Sequence, residues 1–136
     1  MVENGSITLN QELITNDFQV GSEAVVDVSN ILKVTGNLVV NGDLTFKSDA
    51  TGSAQLVHET ISNIVGDITV ERYIPAKRAF RLLSSPVGGQ SFANSWQQNT
   101  HITGAGGANN GFDATTTNNP SLSVKSTLLS PLTKIL

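Results

Sequence analysis

Leu32-Lys33-Val34-Thr35-Gly36-Asn37-Leu38-Val39-Val40-Asn41-Gly42-Asp43-Leu44-Thr45-Phe46 is the stretch on which the fold turns. Two architectures fit it. Asn41-Gly42 between alternating apolar runs is a strong two-residue hairpin signal. In such a hairpin Val40 opposes Asp43 and Leu38 opposes Thr45, and opposed residues share one side of a sheet, so apolar meets polar on one face. If the chain instead turns a corner at each Gly/Asn pair, Leu38, Val40, Leu44 and Phe46 all point inward. Each side chain buried in that way contributes about 1.5–3 kcal/mol, which favours the corner over the hairpin.

The same spacing extends in both directions. Every sixth residue of Ile14, Val20, Val26, Leu32, Leu38, Leu44, Ala50 and Leu56 is apolar, against a background of 38%. A second apolar series, Val28, Val34, Val40 and Phe46, runs two residues behind, and turn formers fill the gaps. Three such hexads make one rung of about 18 residues in a triangular β-solenoid. The fold class expected is therefore all-β: a short β-solenoid of hexad repeats over 1–67, with a β-sandwich as the alternative.

Composition agrees with that class. Only 14% of the 136 residues are charged, and glycine, asparagine, serine and threonine are abundant, which suits turns and argues against long helices. A net charge of −3 points to no nucleic-acid partner. Arg72, Lys77, Arg78 and Arg81 fall close together and are read as a solvated strand face rather than a phosphate site. The absence of cysteine excludes disulfides and thiolate metal centres. No stretch reaches the ~20 apolar residues of a membrane span. Residues following Met1 lack the basic start and apolar run of a signal peptide, so an exported parent protein is expected to carry its signal upstream.

Beyond the repeats, Ile68, Val70, Arg72 and Ile74 alternate with Thr69, Glu71 and Tyr73 as a longer strand, and Pro75 ends it. With Ala79-Phe80-Arg81-Leu82-Leu83 it is expected to form an antiparallel β-hairpin module over 68–87. Residues 88–121 hold Gly104-Ala105-Gly106-Gly107-Ala108-Asn109-Asn110-Gly111 and read as a long Gly/Asn-rich surface loop, followed by an atypical tail over 122–136.

The run Ile68-Thr69-Val70-Glu71-Arg72-Tyr73-Ile74-Pro75-Ala76-Lys77-Arg78-Ala79-Phe80-Arg81-Leu82-Leu83-Ser84-Ser85-Pro86-Val87 resembles a segment of large secreted Bacteroidetes surface proteins. Those proteins typically carry a type IX secretion sorting domain at the C-terminus. The likeness continues through Trp96-Gln97, His101-Ile102-Thr103-Gly104, Asn110-Gly111-Phe112-Asp113 and Asn118-Asn119-Pro120-Ser121, and covers about residues 36–121. It implies export and a cell-surface setting for the parent protein, and brings no catalytic residues with it. From Leu122 to Leu136 the Ser/Leu/Lys-rich sequence departs from the pattern, which usually continues aromatic and turn-rich, and these residues are not expected to form a sorting domain.

Catalytic, cofactor and metal sites are all expected to be absent. His58 and His101 stand apart from each other and from carboxylates at ligand spacing. Ser84 and Ser85 lack the Gly-x-Ser-x-Gly frame and, beside Pro86, read as a turn. Gly104-Ala105-Gly106-Gly107 follows no apolar strand and lacks the last glycine of a dinucleotide fingerprint. Asp113 is the one carboxylate near the glycine run, too few for Ca²⁺. Nothing in the spacing pairs Asp43, Asp49 or Asp67 as glycosidase carboxylates. The only tryptophan, Trp96, sits among amides with Gln97 and Asn99, a candidate sugar platform, although covering a β layer is the plainer role. The function expected is a non-catalytic structural or adhesive module, a fragment of a secreted bacterial cell-surface protein. Its rivals are a carbohydrate-binding module and a fragment of a solenoid polysaccharide-degrading enzyme. The partners expected are a surface glycan or another protein, with self-association through open β edges.

Overall fold

The structure, a computed structural model, describes residues 1–59, 63–75, 85–98, 100–117 and 120–121. Among the described residues nine strands come first: β1 (Val2–Leu9), β2 (Leu13–Thr15), β3 (Phe18–Val28), β4 (Ile31–Val34), β5 (Leu38–Val40), β6 (Asp43–Phe46), β7 (Gln55–His58), β8 (Ile64–Val65) and β9 (Thr69–Val70). A one-turn helix, α1 (Phe92–Ser95), and a 3₁₀ turn (Gly107–Asn110) follow. The chain divides into two compact units, Met1–Val87 and Gly88–Leu136.

Among the described residues the first unit is all-β, and every pair of named strands is parallel. One sheet runs β8-β5-β3-β6-β9 with β1 also on β3, and the other runs β2-β4-β7. In the first sheet β3 is long enough to take two partners in succession. Its first residues pair with β5, Phe18 opposite Leu38, and its last with β6, Val26 opposite Leu44. Parallel neighbours need a crossover of a dozen or more residues. That crossover is supplied by the intervening strands themselves.

No hairpin forms at Asn41-Gly42, since β5 and β6 lie on β3 and not on each other. The parallel pairing of the described strands differs from the antiparallel sheets of an immunoglobulin-type β-sandwich. The corner is tight. A Cβ at Gly42 would overlap the carbonyl oxygens of Gly21 and Ala24, one at Gly21 would overlap that of Glu3, and one at Gly66 that of Val40. Glycine recurs at this bend because the backbone of one turn rests directly on that of the turn before.

A second corner is held by side chains. Asp17 Oδ1 accepts the backbone N–H of Asn37 at 2.7 Å and its side-chain amide at 3.1 Å, and Asn63 Nδ2 donates to Asn37 Oδ1 at 3.4 Å. Between the corners, alternate side chains enter a continuous core of Phe18, Val20, Val26, Val28, Leu32, Val34, Leu38, Val40, Leu44 and Phe46, all 6% exposed or less.

Three members of the six-residue series fall outside that core, and each has a local cause. Ile14 is 62% exposed because Leu13 is the residue in register with Leu32. The Asn16-Asp17 corner, between Thr15 and Phe18, holds one residue fewer than the Thr35–Asn37 corner that pairs with it between Val34 and Leu38. Ala50 lies exposed in the turn Asp49–Gly52, where Asp49 Oδ1 accepts from Thr51 N, Thr51 Oγ1 and Gly52 N. Ala54 is buried in its place. Leu56, two residues later, is half-buried opposite Leu32.

The long strand expected over Ile68–Ile74 is reduced to Thr69–Val70, and it runs parallel to β6. Past Val70 the chain follows the Lys47-Ser48 bend: Glu71 N donates to Phe46 O at 2.9 Å and Tyr73 N to Ser48 Oγ at 3.0 Å. The Glu71 carboxylate accepts from Lys47 Nζ and Ser48 N. The remainder of the expected hairpin, Ala76 to Ser84, and the tail from Leu122 lie outside the described residues.

In the second unit the Gly/Asn-rich run, exposed along most of its length, contains a 3₁₀ turn. Gly106 and Gly111, both at positive φ, bracket the 3₁₀ turn, and Gly107 N, Gly111 N and Phe112 N donate to Gly104, Ala108 and Gly107 carbonyls. Ile102 and Thr103 are buried beside it. Among the described residues, no helix is long and apolar enough to cross a membrane.

Candidate ligand-binding site

Trp96 and Gln97 follow directly on α1, whose start is marked by Asn94 N donating to Ser91 Oγ at 3.2 Å. Both are half-buried. Asn99, the third residue of the proposed platform, lies outside the described residues. Gln97 reaches the buried pair Ile102-Thr103: its Nε2 donates to Ile102 O at 3.4 Å, while its Oε1 is buried with no hydrogen-bond partner among the described residues.

The same segment gathers the polar groups of this unit. Asp113 Oδ2 accepts the Ile102 N–H at 2.7 Å, and the Asp113 N–H returns to Ile102 O at 2.9 Å. His101 Nδ1 stands 3.7 Å from Asp113 Oδ2. The Ile102 amide, with the Gln97 side chain and then His101, holds the Asp113 carboxyl below its ordinary value against a smaller opposing effect of burial. Asp113 is thus an anion at neutral pH, pinned by a backbone donor. A little further on, Thr103 N donates to Ser121 Oγ at 2.9 Å and Ser121 N to Thr103 Oγ1 at 2.8 Å. Phe112 lies so close over Gly104 that a Cβ there would sit 2.6 Å from its ring.

The sequence separates His101 from carboxylates, whereas the glycine-flanked turn brings Asp113 back beside it. No spacing rule marks that pairing; the only available sign is the cluster of turn formers between them. The arrangement offers one exposed imidazole and one carboxylate, with the Gln97 amide bonded to Ile102 O behind them. Such a set can hydrogen-bond a polyhydroxyl or amide ligand. Among the described residues, no group of three His, Cys, Asp or Glu side chains is placed to hold a metal.

The remaining candidates sit elsewhere. His58 is exposed, with Nδ1 3.1 Å from Glu59 O. Ser85 makes the turn expected of it, donating to Val87 O at 2.7 Å and accepting from Val87 N. Ser84 and three of the four clustered cations, Lys77, Arg78 and Arg81, lie outside the described residues. Asp49 is committed to its own turn. Within the first unit, the apolar interior opens into a cavity of about 490 Å³ lined by Phe46, Leu56, Ile68 and Val70, with His58 and Arg72 among its polar groups.

Comparison with protein-family models, with curated proteins and with solved structures finds no match.

Proposed function

We propose that the chain is a non-catalytic structural or adhesive module of a secreted bacterial cell-surface protein, built on a short β-solenoid. The observation that carries this is the in-register stacking of outward side chains on curled parallel strands. Thr8 lies opposite Asp27, Asp27 opposite Thr45, and Thr45 opposite Thr69. A column of short polar groups on a wall whose inner side is filled by Val and Leu is a rigid, repetitive surface suited to spacing or adhesion. The resemblance of residues 68–87 to Bacteroidetes surface proteins supports the cell-surface setting and type IX export.

The test is surface labelling of intact cells expressing the parent protein, together with binding of the purified chain to immobilised glycans and matrix proteins. Surface exposure, with binding that survives Trp96→Ala, supports an adhesive wall. A parent protein confined to the cytoplasm refutes the proposal.

A carbohydrate-binding module is the second reading, and the exposed His101 imidazole 3.7 Å from the Asp113 carboxylate favours it. Glycan binding that is lost in both Trp96→Ala and Gln97→Ala would select it.

A further inference from the structure

Asn-Gly occurs three times in the chain, at Asn4-Gly5, Asn41-Gly42 and Asn110-Gly111. The pair is chemically labile because glycine presents a backbone nitrogen with no Cβ to shield it. Once that N–H gives up its proton to base, the nitrogen can attack the asparagine Cγ. A C–N bond forms, the side-chain nitrogen leaves as ammonia, and a five-membered succinimide results. Water then opens one of the two ring C–N bonds, giving aspartate or isoaspartate. The net change is one water consumed and one ammonia released.

The fold treats the three pairs differently. At Asn110-Gly111 both reacting groups are engaged: Asn110 Nδ2 donates to Ala105 O at 2.8 Å, and Gly111 N donates to Ala108 O at 3.1 Å. Asn4-Gly5 lies inside β1, where pairing with β3 ties the backbone. Asn41 is exposed at the corner between β5 and β6, and only its own backbone N–H is anchored, to Val20 O at 2.9 Å. Among the described residues, neither the Asn41 side chain nor the Gly42 N–H has a hydrogen-bond partner. From the free nucleophile and the free carboxamide we infer that Asn41 is the site of spontaneous deamidation in the folded chain.

The product matters more at this corner than it would in a loop. Isoaspartate adds a methylene to the main chain and places a carboxylate beside Asp43. The Gly42 backbone already rests against the Gly21 and Ala24 carbonyls, so the bend has no room for the added length. β5 and β6 take their registers from the same strand, β3, on either side of that bend. Lengthening it pulls one ladder out of register, and the modified chain unfolds more easily.

The experiment ages the intact chain in mildly alkaline buffer, native and in denaturant, and follows each Asn-Gly fragment by mass spectrometry after trypsin digestion. Cleavage after Lys33 and Lys47 isolates Asn41 with Asn37 as the only other asparagine. The expected result is conversion at Asn41 several-fold faster than at Asn4 or Asn110 in the native chain, with the difference collapsing in denaturant. The isoaspartate fraction is expected to unfold at lower urea than fresh protein, while an aged Asn41→Gln variant keeps its midpoint. Native conversion at Asn4 or Asn110 that equals or exceeds Asn41 overturns the assignment. So does an Asn41 that stays intact in the native chain while the denatured chain converts. An isoaspartate form as stable as fresh protein overturns the structural consequence.

Discussion

Replacing Leu38 with alanine should cost about 3 kcal/mol of stability, and the same replacement at Val39, its immediate neighbour, less than about 1 kcal/mol. Leu38 is 1% exposed and lies between Phe18 and Ile64 in the parallel ladder. Truncation removes three carbon groups at about 0.8 kcal/mol each, and a cavity remains because the neighbouring strands are pinned by their own ladders. Val39 points to the other side of the strand and is only half-buried, so alanine there loses a fraction of one side chain's burial and leaves no hole. The assay is urea unfolding followed by far-UV circular dichroism, which reports on the strands. With a slope of about 1–3 kcal/mol per molar urea, the Leu38→Ala midpoint should fall by about 1–3 M. Equal shifts for the two variants would refute the inward assignment of the Leu38 column, and with it the corner at Asn41-Gly42.

Gly42→Ala should lower the melting temperature markedly, because the new Cβ overlaps two backbone carbonyls, whereas Gly52→Ala, which meets nothing within 4 Å, should leave it nearly unchanged. Acid titration should show a contribution from Asp17. The Asn37 backbone N–H holds its carboxyl below the ordinary value, so its stabilisation is full above that value and fades as pH falls through the lowered one; Asp17→Asn should flatten that part of the curve. Asp113→Ala should destabilise the second unit more than His101→Ala, since the carboxylate accepts the Ile102 N–H while the imidazole is mostly exposed; Trp96 fluorescence during unfolding checks this. A chelator should leave the melting temperature of purified protein unchanged, a calorimetric measurement.

The buried positions in the middle of the first unit were legible because two constraints agree there. From Val20 to Phe46 the alternation of a strand and the turn formers at Gly36-Asn37 and Asn41-Gly42 require the same faces, and Val20, Val26, Leu32, Leu38 and Leu44 are buried. At the flanks the constraints part. The Asn16-Asp17 corner is closed by side-chain bonds to Asn37, and such bonds fix how many residues a bend holds without leaving a periodic trace. The Asp49 turn likewise moves the buried position from Ala50 to Ala54. The alternation after Gly66 was genuine in the sequence, yet Glu71 is captured by Lys47 and Ser48, which stops the ladder after two residues. In the second unit Trp96 and Gln97 could be singled out by residue type. The meeting of His101 with Asp113 depends on backbone angles at Gly106 and Gly111 that composition does not specify.

The Asp49 turn has a consequence for how such a wall changes over time. Val26 meets Leu44 eighteen residues on, whereas Leu32 meets Leu56 twenty-four residues on, and both ladders are regular. The extra residues between Lys47 and Ala54 are gathered outside the wall and pinched shut where Ser48 bridges to Ser53, with Ala54 N returning to Lys47 O at 2.8 Å. Insertion at this bend therefore changes the surface without disturbing the strands beneath. Thr51-Gly52 is a natural splice point: a foreign peptide grafted between them inherits a closed neck and a fixed exit direction, so epitopes can be displayed, or varied by selection, while the scaffold stays the same.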